Sequence, residues 1–190
     1  EDGFHLPPLE EWRRALTPRT RLVLLCNPGN PTGTVYTRDE LERVAGFCRE
    51  HGLFLVCDEV YREFVYDGQH ATSLLALPGC EEIAIVVDSL SKRYSACGIR
   101  LGCLASRNRE VLGAALRLAQ ARLSPPGLAQ LVSLGIPELP ADYAQGIVRE
   151  YQARRDVLFD VPVAAMDRSR GMEMRCPKLP LAGRYWRSIE

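Results

Sequence analysis

Residues 21–60 read RLVLLCNPGNPTGTVYTRDELERVAGFCREHGLFLVCDEV. Within them, Arg21-Leu22-Val23-Leu24-Leu25-Cys26 is a short apolar run that stops at a cluster of Asn, Pro and Gly, the pattern of a buried strand entering a turn. Thr37-Arg38-Asp39-Glu40 is a capping box: a threonine accepts from the backbone three residues on, and a glutamate reaches back. Leu41, Val44, Ala45 and Cys48 then recur at helical spacing, and Gly52 closes the helix after His51. Leu53-Phe54-Leu55-Val56-Cys57 is a second apolar strand and ends at Asp58-Glu59.

The same alternation continues outward. Ile83-Ala84-Ile85-Val86-Val87 is a third strand, ending at Asp88-Ser89, and 101–105 reads as a fourth. Val111, Leu112, Ala115, Leu116 and Ala119 mark an amphipathic helix. Pro125-Pro126 breaks the pattern, and a long helix is expected over 142–159. Strands that alternate with helices and are apolar on both faces predict an α/β domain with a mostly parallel sheet covered on both sides. No internal repeat or low-complexity linker is present.

A chain of 190 residues suffices for one substantial domain, which at this size buries roughly 70% of its unfolded surface. Zero formal net charge gives no basis for a nucleic-acid or membrane partner. The end of the chain differs: from Asp167 onward, Arg168, Arg170, Arg175, Lys178, Arg184 and Arg187 face Asp167, Glu173 and Glu190. No apolar run approaches the ~20 residues that span a bilayer. The seven cysteines form no C-x-x-C pair, and Cys26, Cys57 and Cys103 lie inside apolar runs as small hydrophobes. A reducing, cytoplasmic setting follows. His5, His51 and His70 lack metal-ligand spacing, so no metal site is expected.

In open α/β sheets, ligands bind beyond the carboxyl ends of the strands. Three polar clusters fall at three such ends: 27–34, 58–61 and 89–92. In Asn27-Pro28-Gly29-Asn30-Pro31-Thr32-Gly33 the prolines and glycines stiffen the backbone and hold asparagine side chains in place. Taken alone it is a tight turn, with Asn30-Pro31 a candidate cis peptide. Asp58 is either a cap or the partner of a buried cationic ligand atom. Tyr61 faces the same way if a helical turn begins there. Ser89-Leu90-Ser91-Lys92 sets two hydroxyls before a lysine, with Arg100 beyond. Hydroxyls and an arginine suit a phosphate, and a partly neutral lysine beside it can form a Schiff base.

The run 89–102, SLSKRYSACGIRLG, resembles the pyridoxal-phosphate attachment signature of class I/II aminotransferases of fold type I. The 27–33 and 58–61 clusters are similar to that family's Asn-Pro-x-Asn-Pro-Thr-Gly and Asp-Glu-x-Tyr motifs. Each motif is moderately specific; the three in this order are strongly so. The similarity spans residues 1–159 and is greatest to bacterial aspartate aminotransferase-like members. It implies a three-layer α-β-α large domain, incomplete at both ends, with pyridoxal 5'-phosphate as cofactor. Lys92 would carry the cofactor and move the proton of the substrate Cα. Asp58 would pair with the pyridine nitrogen, Asn30 and Tyr61 would bond the phenolic oxygen, and Ser89, Ser91 and Arg100 would hold the phosphate. Arg93 and Tyr94 are assigned no role beyond structure.

The implied activity is transfer of an amino group between an amino acid, aspartate foremost, and a 2-oxo acid, within amino-acid metabolism. Alternatives are a pyridoxal-phosphate β-lyase, an inactive truncated product, or a regulatory cofactor-sensing domain. The resemblance further implies a homodimer in a longer parent. It divides the chain into 1–135, part of the cofactor-binding large domain, 136–160, a helix leading toward a small domain, and 161–190, a divergent or truncated small-domain start. The family's glycine-rich phosphate loop, ring-stacking aromatic residue and carboxylate-binding arginine are expected outside this sequence. The tail departs from the family pattern except at Cys176-Pro177-Lys178, which suggests a reading-frame disruption or an assembly error nearby.

Overall fold

A computed structural model describes residues 3–170, with side chains through residue 158. The helix α1 (Leu9–Ala15) precedes β1 (Leu22–Cys26), α2 (Arg38–Glu50), β2 (Phe54–Asp58) and β3 (Ala84–Ser89). After them come α3 (Leu90–Arg93), β4 (Gly102–Ser106), α4 (Arg109–Ala121), α5 (Gly127–Ser133) and α6 (Tyr143–Arg170). The strands form one sheet in the order β1-β2-β3-β4. β1, β2 and β3 run parallel, and β4 returns antiparallel to β3. The architecture is the α/β fold expected, its sheet mostly parallel. The long helix begins where predicted and extends past residue 160. The expected disruption near Cys176 and the rest of the tail beyond residue 170 lie outside the described residues.

The core lies between α2 and one sheet face. Leu41, Val44, Ala45, Phe47 and Cys48 on α2 meet Leu25, Leu55, Cys57, Ala84 and Val86 on the strands, all buried. The period-two alternation of a strand puts Leu22, Leu24, Phe54 and Leu104 on the opposite face. There they remain exposed, Leu24 to 67%. Among the described residues, the covering layer implied by the sequence is present on the α2 face, and no layer covers these four side chains on the other. Cys103 corrects a smaller expectation. It is exposed, because β4 is the edge strand of the described sheet and its residues 102–104 lie open to solvent.

The capping box forms as read. Thr37 accepts from the Glu40 backbone, and the Glu40 carboxylate accepts from the Thr37 N–H at 2.8 Å. Glu40 also receives His5 Nδ1 at 2.9 Å and the Leu6 N–H at 3.3 Å, which ties the N-terminal segment to α2. Burial alone would raise its pKa, but the hydrogen bonds from Thr37, His5 and Leu6 outweigh burial and hold it below the ordinary carboxylate range. A carboxyl depressed in the folded state stabilises fully above its unfolded pKa, and that contribution disappears as pH falls through the folded one. Thr37→Ala should cost about 1 kcal/mol in urea unfolding. Glu40→Gln should flatten the loss of stability with acid below about pH 5. An unchanged acid limb in Glu40→Gln would remove Glu40 from that role.

Candidate active site

The first loop is built around Asn27, 1% exposed. Its Oδ1 accepts from the Tyr36 N–H at 2.9 Å and its Nδ2 donates to the Thr72 carbonyl at 3.4 Å. Gly29 N–H donates to the Thr34 carbonyl and Gly33 N–H to the Gly29 carbonyl, closing the turn. Asn30-Pro31 is cis, as expected, and Asn27-Pro28 is cis as well.

The second loop leaves β2 at Asp58. Its Oδ1 accepts from the Val60 N–H at 3.0 Å, so the side chain caps the turn that follows. No regular helix starts there; successive turns, Arg62 N–H to Glu59 and Phe64 N–H to Tyr61, present the tyrosine instead. Glu59 is only 1% exposed and accepts from the Leu74 N–H at 2.9 Å and from Arg62 Nη1 at 3.3 Å. It is a structural anchor that holds the loop on the core.

The third loop carries Lys92 on α3, a helix of one turn. Ser89 Oγ accepts from the Ser91 N–H at 2.9 Å and caps it. The Lys92 amine lies over the Tyr61 ring, 5.6 Å from its centroid, within the range of a cation–π contact.

These loops meet at one cavity of about 530 Å³ at the carboxyl ends of the parallel strands. Asn30, Tyr61, Ser91 and Lys92 all line it. Asp58 and Ser89 sit at the strand ends beside it, half-buried, and are not among its lining residues. Arg100 is exposed, in the left-handed backbone region at φ 60°, with Nη1 donating to the Cys97 carbonyl at 2.9 Å. The cavity lining thus includes four of the seven predicted site residues and does not include Asp58, Ser89 or Arg100.

Sequence reading missed the aromatic side of the cavity. Phe64 and Tyr66 follow Tyr61 in the chain, and Tyr151 comes from α6. Phe64 packs edge-on against both Tyr61 and Tyr151, at 6.0 and 5.5 Å. Arg155 anchors α6 here: Nη1 donates to Asp67 at 2.7 Å, and its guanidinium covers the Tyr66 ring at 4.9 Å. The spacing of Tyr66 from Tyr61 was available to read; the arrival of Tyr151 depends on how α6 packs.

The strand-end thiols are not poised as nucleophiles. Burial raises the Cys26 pKa, and burial with the Glu59 charge raises that of Cys57, so both stay protonated at neutral pH. Among the described residues no group of His, Cys, Asp and Glu could hold a metal ion. No described helix is long and apolar enough to cross a membrane.

Fold and site together define an α/β protein with a lysine-lined cavity at its strand ends. The family Aminotransferase class I and II matches residues 1–167, and the chain belongs to it. It is 32% identical over 151 residues to a protein named putative aminotransferase YugH of Bacillus subtilis, covering 79% of this chain and 39% of that one. To an aspartate/prephenate aminotransferase of Thermus thermophilus it is 32% identical over 163 residues, covering 84% and 41%. Among solved structures, an aromatic aminotransferase from Pyrococcus horikoshii superposes with a TM-score of 0.76 at 28% identity, covering 83% of this chain and 42% of that one. The aspartate aminotransferase of Thermus thermophilus with maleate superposes at 0.72 and 32% identity, covering 86% and 42%. The chain spans about 40% of the length of the relatives it matches.

Proposed function

We propose that this chain carries the cofactor-binding part of a pyridoxal-phosphate-dependent transaminase that moves an amino group between aspartate and a 2-oxo acid. The observation that carries the proposal is the convergence of Lys92, Tyr61, Asn30 and Ser91, from three loops, on one cavity. An amine, a phenol, a carboxamide and a hydroxyl form a donor set that fits an aromatic aldehyde with a phenolic oxygen and a phosphate. When bound, pyridoxal phosphate supplies an electron sink for the bond cleaved at the substrate Cα.

The chain's own residues do the rest. The Lys92 amine would hold the cofactor and, once the incoming substrate amine has displaced it, would be free to act as the base that takes and returns the Cα proton, which proximity favours. Asn30 and Tyr61 donate to the phenolic oxygen and favour its ionised form. Asp58, at the end of β2, keeps the pyridine nitrogen protonated. Ser89, Ser91 and Arg100 would receive the phosphate, and the Arg100 guanidinium, which gives one N–H to the Cys97 carbonyl, has further donors for that contact. Aspartate as the amino donor is supported by the names of several relatives, including aspartate aminotransferases of Geobacillus stearothermophilus and Pinus pinaster. We place the domain divisions near residues 135 and 160, as the sequence suggests, and extend the reading to a homodimer of the whole protein.

The test is a nitrogen-labelled aspartate incubated with 2-oxoglutarate and the complete protein. Label appearing in glutamate supports the reading. Conversion of a sulfur amino acid to pyruvate and ammonia, without transfer to the acceptor, would replace it with a lyase.

A further inference from the structure

Arg93 follows the lysine directly and points the other way, into the protein. Its side chain is 15% exposed, and Nη2 donates to Asp88 Oδ2 at 2.7 Å while Nε lies 3.5 Å from Glu63 Oε1. Burial alone would disfavour its charge, but the Asp88 and Glu63 carboxylates outweigh that and raise its pKa. The guanidinium is a permanent cation joining two loops.

The arrangement matters because α3 has only four residues. A single helical turn fixes several dihedral angles for very little hydrogen bonding and is unfavourable by itself. Something outside the turn has to hold it. Asp88 does so from both ends: Oδ1 accepts from the Ser89 N–H at 2.7 Å, just before the turn, and Oδ2 accepts from Arg93, its last residue. The pair closes a staple around Ser89, Ser91 and Lys92. The second arm reaches Glu63, two residues beyond Tyr61, in the loop whose ring faces the Lys92 amine.

We propose that Arg93 is a positioning residue: through Asp88 and Glu63 it locks the lysine-bearing turn to the tyrosine-bearing loop and so sets the amine against the Tyr61 ring. This rests on the reading of Lys92 as the cofactor-holding amine. Arg93 is not among the residues that line the cavity. Lysine at this position can keep the Asp88 pair as a point charge, but it lacks the planar fork that reaches two carboxylates at once.

The test uses the complete protein with pyridoxal phosphate as the probe. Covalent capture is timed by borohydride quenching, which fixes the phosphopyridoxyl group on its lysine, and the tagged peptide is located by mass spectrometry. Circular dichroism of the bound chromophore reports its orientation. Wild type should be tagged on Lys92, and Lys92→Ala should not be; equal tagging of Lys92→Ala would overturn the underlying reading while leaving the staple geometry untouched. With Lys92 confirmed, Arg93→Ala should slow capture about tenfold or more and diminish the chromophore dichroism. Arg93→Lys should recover part of both, and Glu63→Gln should lose less than Arg93→Ala. If Arg93→Ala does not fold, Arg93→Lys decides: capture and dichroism equal to wild type would overturn the proposal. A folded Arg93→Ala within twofold of wild type in both would do the same.

Discussion

Lys92→Ala should abolish covalent retention of pyridoxal phosphate altogether, while thermal unfolding stays within about 0.5 kcal/mol of wild type. The separation follows from where the side chain sits. Lys92 is exposed toward the cavity and contributes nothing to the α2–sheet core. Its turn is held by Ser89, Asp88 and Arg93. Alanine keeps those bonds and suits a helical turn. The measurement is cofactor absorbance that persists through gel filtration, set beside a melting curve of the same sample. Full retention in the variant would show that another amine holds the cofactor. Loss of folding would show that the lysine has a structural function that its exposure does not suggest.

Leu55→Ala should produce the opposite separation, with stability lost first and the site lost as a consequence. Leu55 is 0% exposed on the central strand β2, paired with Val23 on one side and Ala84 on the other. Removing a fully buried leucine side chain forfeits its transfer energy and leaves a cavity, a loss of about 2–5 kcal/mol. That is a large fraction of the stability of an ordinary domain. β2 also carries Asp58 at its end and leads into the loop of Tyr61. Urea unfolding followed by circular dichroism should therefore show a lower midpoint with an unchanged slope. A suitable control is Arg38→Ala, which breaks an exposed pair with Glu42 and should cost no more than about 0.5 kcal/mol. Equal effects in the two variants would mean that the core is not where the burial pattern puts it.

The strands, their order along the chain and the capped helix α2 were legible because each is specified by its own residues. Apolar runs ending in turn residues define β1, β2 and β3, and Thr37 with Glu40 defines the start of α2. The three polar clusters were legible for the same reason: a parallel sheet sends its strand ends to one edge, so 27–34, 58–61 and 89–92 had to become neighbours. Lys92, Tyr61, Asn30 and Ser91 do share a cavity there.

Other features depended on where side chains of distant segments arrive. Asp58 was readable as a cap or a ligand partner, and only the fold shows it bonding Val60 at a turn with no helix. Arg93 had no visible purpose in sequence, because its partners Asp88 and Glu63 lie five and thirty residues away and only the folded chain brings both within ion-pair range. Tyr151 joins the cavity because Arg155, on the same helix, pairs with Asp67 and covers Tyr66. The open sheet face was also hidden, since Leu22 and Leu24 have the same apolar character as their buried neighbour Leu25. The sequence by itself determined the elements, their order and the chemistry collected at the strand ends, because local propensity and period are properties of neighbouring residues. The tertiary structure decided which of those groups touch, because contact energy depends on distance in space, and that distance is set by packing.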